Sequence, residues 1–130
     1  MKKRRIVSPH VPEPPSGTWS NCLMVGDQIF VAGMTCRRGE EIVGGDSMYG
    51  QAQAVFAKIK NLIEAAGASM DDIVKLNIFL TDISRREEVW KARREFFSGD
   101  FPVSTLVEIS ALAVPALLVE IEAVAIRGAR

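Results

Sequence analysis

Two glutamates, two residues apart in the apolar run Leu118-Val119-Glu120-Ile121-Glu122-Ala123, are the residues of this chain best placed to do chemistry. Strand side chains alternate between faces, so Glu120 and Glu122 point one way while Val119, Ile121 and Ala123 point the other. An ionised carboxylate is not set in a dry core without a partner. The pair therefore faces water, a pocket or a polar contact between subunits. In a partly dry cleft a carboxylate gains a raised pKa and can take a proton, directly or through one water. Glu120 is thus a candidate general base. Its structural alternative is a pairing with a basic side chain or backbone N–H across subunits. Glu122 and Glu108 are read as structural.

Ser104 and Thr105 open a strand just after Pro102, where hydroxyl and backbone N–H groups can hold a carbonyl or carboxylate oxygen. No histidine lies near Ser104 in sequence, and His10 stands alone in a proline-rich arm, so a serine nucleophile is not expected. One histidine and no close cysteine pair give no metal site, and no cofactor is implied. Nothing specific lowers the pKa of Cys36. The glycines Gly39, Gly44 and Gly45 lack the spacing of a phosphate-binding loop.

The elements that carry these residues can be read in outline. A short strand at 4–8 precedes an irregular, extended arm over 10–17. Cys22 to Val25 and Gln28 to Gly33 form a hairpin around Gly26-Asp27, a two-residue type II′ turn. That turn sets Val25 opposite Gln28 and Cys22 opposite Val31, leaves Cys36 beyond the pairing, and makes a Cys22–Cys36 disulfide unexpected. Residues 37–45 are a loop. Asp46 or Ser47 caps a helix with an apolar stripe of Met48, Ala52, Val55, Ile59, Leu62, Ile63 and Ala66, stopped by Gly67. Residues 72–80 are a strand with Val74, Leu76, Ile78 and Leu80 on one face and Lys75 and Asn77 on the other. Ser84-Arg85-Arg86-Glu87 is a capping box for a second helix, buried through Val89, Ala92, Phe96 and Phe97 and ended by Gly99. Strands at 103–111 and 117–127 follow.

The order β-β-β-α-β-α-β-β predicts an α+β fold, a mixed sheet of six strands with two helices on one face. The other face would carry Leu106, Glu108, Leu118, Glu120 and Glu122. A patch of that size is covered most simply by further copies of the chain.

The 130 residues are read as one domain, 1–130. Basic and acidic residues number 16 each, a balance that argues against a non-specific nucleic-acid binder. The basic cluster Lys2-Lys3-Arg4-Arg5 has no apolar stretch after it and is read as a solvated terminus, not a secretory signal. No apolar run approaches the roughly 20 residues of a membrane span. With two cysteines and no export signal, a cytoplasmic location is expected.

The residues Ile29-Phe30-Val31-Ala32-Gly33, Ile63-Glu64-Ala65-Ala66-Gly67-Ala68, Phe96-Phe97 to Pro102, and Leu118 to Ala123 together resemble the Rid (YjgF) family of reactive-intermediate deaminases. The resemblance runs from about Gly17 to Arg127. It implies a chorismate-mutase-like fold and a homotrimer around a central barrel, with a cleft at each subunit interface. It also implies hydrolysis of enamines and imines of small 2-amino acids to 2-keto acids and ammonia. The glutamate that holds the attacking water matches Glu120, and Gly33 matches a backbone position of the cleft. The family arginine that binds the substrate carboxylate falls at Ser104, which offers one neutral donor in place of a guanidinium fork. A pocket tyrosine falls at Trp19, a serine at Ala32 and an asparagine at Trp90. The chain thus resembles an arginine-lacking branch, with tryptophan walls suited to a flat or apolar ligand. Arg37, Arg38, Arg93 and Arg94 are read as solvated charges, with replacement of the missing cation as the alternative.

Three functions compete. The first is an enamine/imine deaminase-like hydrolase, in which Glu120 positions water, Ser104, Thr105 and backbone groups of Ala32 and Gly33 hold the ligand, and Trp19 and Trp90 enclose it. Its ligand would be a small enamine, imine or keto acid. The second is a non-catalytic metabolite-binding or regulatory trimer. The third, an endoribonuclease or translation inhibitor, is disfavoured by zero net charge, a single histidine and the lack of interleaved aromatic and basic residues.

Overall fold

Short strands alternate with two helices in the computed structural model, which describes residues 1–130. Strands β1 (Lys3–Arg5), β2 (Cys22–Val25) and β3 (Gln28–Met34) come first, followed by the small hairpin β4 (Arg37–Arg38) and β5 (Glu41–Ile42). Helix α1 (Met48–Ala65), β6 (Ile73–Leu80), helix α2 (Arg86–Arg94), β7 (Val103–Glu108) and β8 (Val119–Ile126) complete the chain. Six strands form one mixed sheet in the order β1-β2-β3-β8-β6-β7. Only β6 and β7 run parallel, as the intervening helix requires. This is the expected α+β architecture.

The hairpin register is the one the turn dictates: Val25 faces Gln28 and Cys22 faces Val31, with Gly26 at φ +59°. Ser47 caps α1, its side chain accepting from the Gly50 N–H, and the whole apolar stripe from Met48 to Ala66 is buried. Phe56 on the same helix meets Phe96 at 5.4 Å and Phe97 at 5.9 Å between ring centroids, which pins the end of α2 onto α1. Burying a side chain of that size is worth about 1.5–3 kcal/mol. Gln51, fully buried, donates to the carbonyls of Gly45 and Ala116 and accepts from the Leu118 N–H. It thereby fixes where β8, the strand carrying the two glutamates, begins.

Several expectations need correction. The first strand covers 3–5, because Pro9 and the turn at 9–10 cannot continue it. The arm after it is irregular, as expected, and is anchored: Ile6 and Val11 are buried, and the Asn21 amide donates to the Pro12 carbonyl. The loop 37–45 contains the β4–β5 hairpin. A bulge between Ile73 and Lys75 puts Ile73, not Val74, into the core. No capping box opens α2. Instead Asp82 caps a short 3-10 turn (Ile83–Arg85), accepting from both the N–H and the hydroxyl of Ser84.

The last two strands are shorter than expected, and one face assignment reverses. Parallel pairing places Ser104, Leu106 and Glu108 beside Leu76, Ile78 and Leu80, all three fully buried. Leu106 and Glu108 therefore lie on the helix side, where Leu106 packs against the core and Glu108 accepts from the Ile83 N–H. The uncovered face carries Phe30, Val103 and Val107, 42, 68 and 41% exposed. It also carries Lys75, Asn77, Glu120 and Glu122.

Candidate active site

β8 alternates as its sequence requires. Val119, Ile121, Ala123 and Ala125 are buried, while Glu120 and Glu122 emerge on the uncovered face beside Phe79 and Asn77 of β6. The two carboxylates live differently. Glu122 Oε1 accepts from Asn77 Nδ2 at 2.9 Å. Glu120 lies across the backbone of Gly33: a Cβ at position 33 would stand 2.9 Å from its carboxyl carbon. Gly33 falls where β3 loses register with β8, between Val31 and Met34, so this stretch of backbone is released from the regular ladder. Burial, and then the charge of Glu122, push the Glu120 carboxyl above its ordinary pKa. A carboxylate that is half-buried, lifted in pKa and free of a protein cation is equipped to hold a water and accept its proton.

Next to it, a shallow groove of about 450 Å³ crosses the sheet, lined among others by Phe30, Ala32, Lys75, Asn77 and Glu122. Ala32 lines it. Lys75 and Asn77 add polar groups that the sequence offered only as the solvent side of a strand.

The second cluster of expected residues lies elsewhere. Ser104 and Thr105 face opposite sides of β7. Thr105 pairs with Asn77 on the uncovered face. Ser104 faces the helices, and its Oγ accepts from Arg93 Nη1 of α2 at 3.0 Å. A guanidinium therefore reaches Ser104 from the helix, which sequence spacing did not signal. Arg93 takes part in none of the four ion pairs. Burial, then the charge of Arg94, lowers its pKa from the ordinary arginine value. Trp90, one turn before Arg93, is half-buried under the Arg86 guanidinium, 5.6 Å from the ring centroid. Trp19 is 57% exposed at the end of the N-terminal arm and donates its indole N–H to Asn21 Oδ1 at 3.3 Å.

One chain thus brings together Gly33 and Glu120, with Ala32 and Glu122 in the adjoining groove, and separately Ser104 with Arg93. It does not join the two groups. Ser104 sits beside Leu76, while Glu120 sits beside Phe79 on the opposite face and across β6. Strand spacings put them roughly 14 Å apart.

Comparison with known proteins agrees with this architecture. Residues 11–127 match the family model described as Endoribonuclease L-PSP. A 2-iminobutanoate/2-iminopropanoate deaminase of Dermatophagoides farinae is 32% identical over 97% of this chain and 98% of its own. A RutC family protein of Pyrococcus abyssi is 36% identical over 96% of this chain and 98% of its own. The crystal structure of a protein of unknown function from Pseudomonas aeruginosa superposes with a TM-score of 0.86 at 40% identity, covering 98% of this chain and 94% of that one. The chain belongs to the Endoribonuclease L-PSP family, the YjgF/RidA family.

Proposed function

We propose that this protein is an enamine/imine deaminase-like hydrolase whose sites form between the subunits of a homotrimer. Membership of the family and the deaminase name of the mite relative support activity of this kind. The observation that carries the reading is Glu120, lying on the Gly33 backbone with its pKa raised and no cation beside it.

In the reaction, an enamine acid first tautomerises to its imine. Water held by Glu120 adds to the C=N carbon as the carboxylate takes its proton. The resulting carbinolamine breaks its C–N bond, forms C=O and releases ammonia, the proton passing to the leaving nitrogen. The balance is imine plus water to carbonyl plus ammonia, with no redox change.

Glu120 and Ser104 of one chain are too far apart to share a small ligand, so the ligand is bracketed by two copies. One copy supplies Glu120 with Ala32 and Gly33. The other supplies Ser104, with Arg93 standing in for the missing family arginine and forking onto the substrate carboxylate. Thr105 lines the seam, and Trp19 and Trp90 enclose a flat, conjugated acid.

Ammonia release from 2-aminoacrylate or a longer enamine acid tests this. Replacing Glu120 with Gln removes the base and is expected to lower the rate about 10²–10⁴-fold. An unchanged rate sinks the assignment. The same variant is expected to fold more stably at neutral pH. A raised carboxyl pKa penalises the folded state above it, and that penalty fades as pH falls back through the folded pKa toward the unfolded one.

A second reading, ligand binding without turnover, is favoured by the serine that stands at position 104. It predicts a saturable thermal shift with small keto acids and no ammonia from any of them.

A further inference from the structure

On the helix side of the sheet, away from Glu120 and Ser104, a cavity of about 190 Å³ opens between α1, the β4–β5 hairpin and the N-terminal arm. It is walled by His10, Cys36, Arg38, Val43, Lys58 and Asn61, with small alanines of α1 completing it. Its chemistry is one-sided. Lys58 is only 8% exposed and gives one of its ammonium protons to the Arg37 carbonyl. Arg38 donates Nη1 to the His10 carbonyl at 2.9 Å. No acidic residue lines the cavity, and neither cation belongs to any of the four ion pairs. Glu41, which faces Arg38 across the hairpin, makes no ion pair with it.

A buried ammonium beside a guanidinium, with no carboxylate between them, is an expensive arrangement for an empty fold. Burial, then the charge of Arg38, hold Lys58 below its ordinary pKa, and the Cys36 thiol beside it only partly offsets them. The donors still free are the remaining Lys58 N–H groups, the Arg38 fork and the Asn61 amide, and all of them suit oxygen acceptors. Two positive charges are neutralised best by one dianion. The volume is below that of drug-sized sites and holds a group of about five heavy atoms.

We propose that this cavity is a binding site for a phosphoryl dianion, either inorganic phosphate or the terminal phosphate of a small phosphomonoester. Lys58 and Arg38 grip the oxygens from the two walls, and Asn61 bonds a third. The site is independent of the deaminase reading, because it shares no residue with that cleft. Occupancy would tie the arm and the β4–β5 hairpin to α1.

The test is calorimetric and thermal titration of the full chain with inorganic phosphate and with methyl phosphate, against sodium chloride at matched ionic strength and against acetate. The proposal expects saturable binding of phosphate, a rise in melting temperature beyond the chloride control, and weaker binding of acetate. Arg38→Met, on an exposed side chain, is expected to weaken phosphate at least tenfold with unchanged circular dichroism. Lys58→Met is expected to abolish binding, and if it fails to fold, Asn61→Ala replaces it with a severalfold loss. Tighter binding of methyl phosphate identifies the ester as the ligand class, and tighter binding of inorganic phosphate identifies the free ion. Absence of saturation, acetate binding as well as phosphate, or undiminished affinity in Arg38→Met overturns the proposal.

Discussion

Replacing Gly33 with Ala separates a glycine kept for its neighbour from one kept for its backbone. Gly33 has no positive φ, so alanine meets no backbone strain there. Its new Cβ would stand 2.9 Å from Cδ and 3.1 Å from Cγ of Glu120. Those atoms belong to a flexible side chain, and a rotation of Glu120 relieves the clash. Forcing a side chain off its preferred rotamer costs about 0.5–1.5 kcal/mol, so the loss of stability stays within that range. The carboxylate, however, is driven off the bulge. A displacement on the order of 1 Å costs about 10²-fold in rate. Gly44→Ala is the control. There φ is +94°, and the built Cβ meets backbone, the Gln51 nitrogen at 2.5 Å and the Gly50 carbonyl carbon at 2.6 Å. Backbone cannot swing aside, and an unfavourable φ alone costs about 1–3 kcal/mol. Urea denaturation of both variants, with ammonia release measured per folded molecule, should show Gly33→Ala stable and slow, Gly44→Ala unstable and fast. If Gly33→Ala keeps its full rate, or loses as much stability as Gly44→Ala, the argument that Gly33 is there to seat Glu120 fails.

Other consequences can be checked singly. On the proposed reading, Arg93→Met removes a charge-assisted fork worth about 1.5–3 kcal/mol, so binding of carboxylate ligands should weaken roughly 10- to 100-fold while Arg93→Lys recovers part of it. Equal affinities in isothermal titration would remove Arg93 from the site. If the proposed trimer is sealed through the uncovered face, Val107→Asp, which places a charge there, should yield monomers in sedimentation, whereas a trimer that survives it is built through another surface. Asp72 is buried under the Arg130 guanidinium. Burial pushes its carboxyl up, but N–H donors from Ser69 and Arg130 and the Arg130 charge outweigh this and hold its pKa low. A lowered pKa stabilises the fold above the unfolded value, and that share is lost as acid drops the pH below about 4. Asp72→Asn should cost about 1–3 kcal/mol at neutral pH and flatten that acid limb in denaturation curves.

Local chemistry makes part of this fold legible in the sequence. Gly26-Asp27 selects one turn and therefore one register, which fixes Cys22 opposite Val31. The stripe on α1 repeats with the helix period, and β8 repeats with the strand period, so Glu120 and Glu122 could be placed on one face with no tertiary knowledge. β7 carried no such signal. Val103-Ser104-Thr105-Leu106-Val107-Glu108 has apolar residues on both parities, and its register with β6, set by the crossover through α2, decides which side each occupies. The bulge at Val74 likewise shifts a face without a glycine or proline to announce it. Asp82 takes the capping role because the chain already turns at Ile83, which puts Ser84 inside the 3-10 turn rather than ahead of it. Arg93 reached Ser104 because its long side chain extends from α2 to the edge strand, a meeting that neither segment encodes alone.

The opposite aim of Ser104 and Thr105 has an evolutionary corollary. On the proposed reading, adjacent codons on one edge strand bear on two different traits: position 104 mainly on what the molecule recognises, position 105 mainly on how its copies fit together. On that reading a change at position 104 alters ligand preference with less effect on assembly than a change at 105 would have. Such separability lets a small scaffold diversify its chemistry while the quaternary plan is inherited intact.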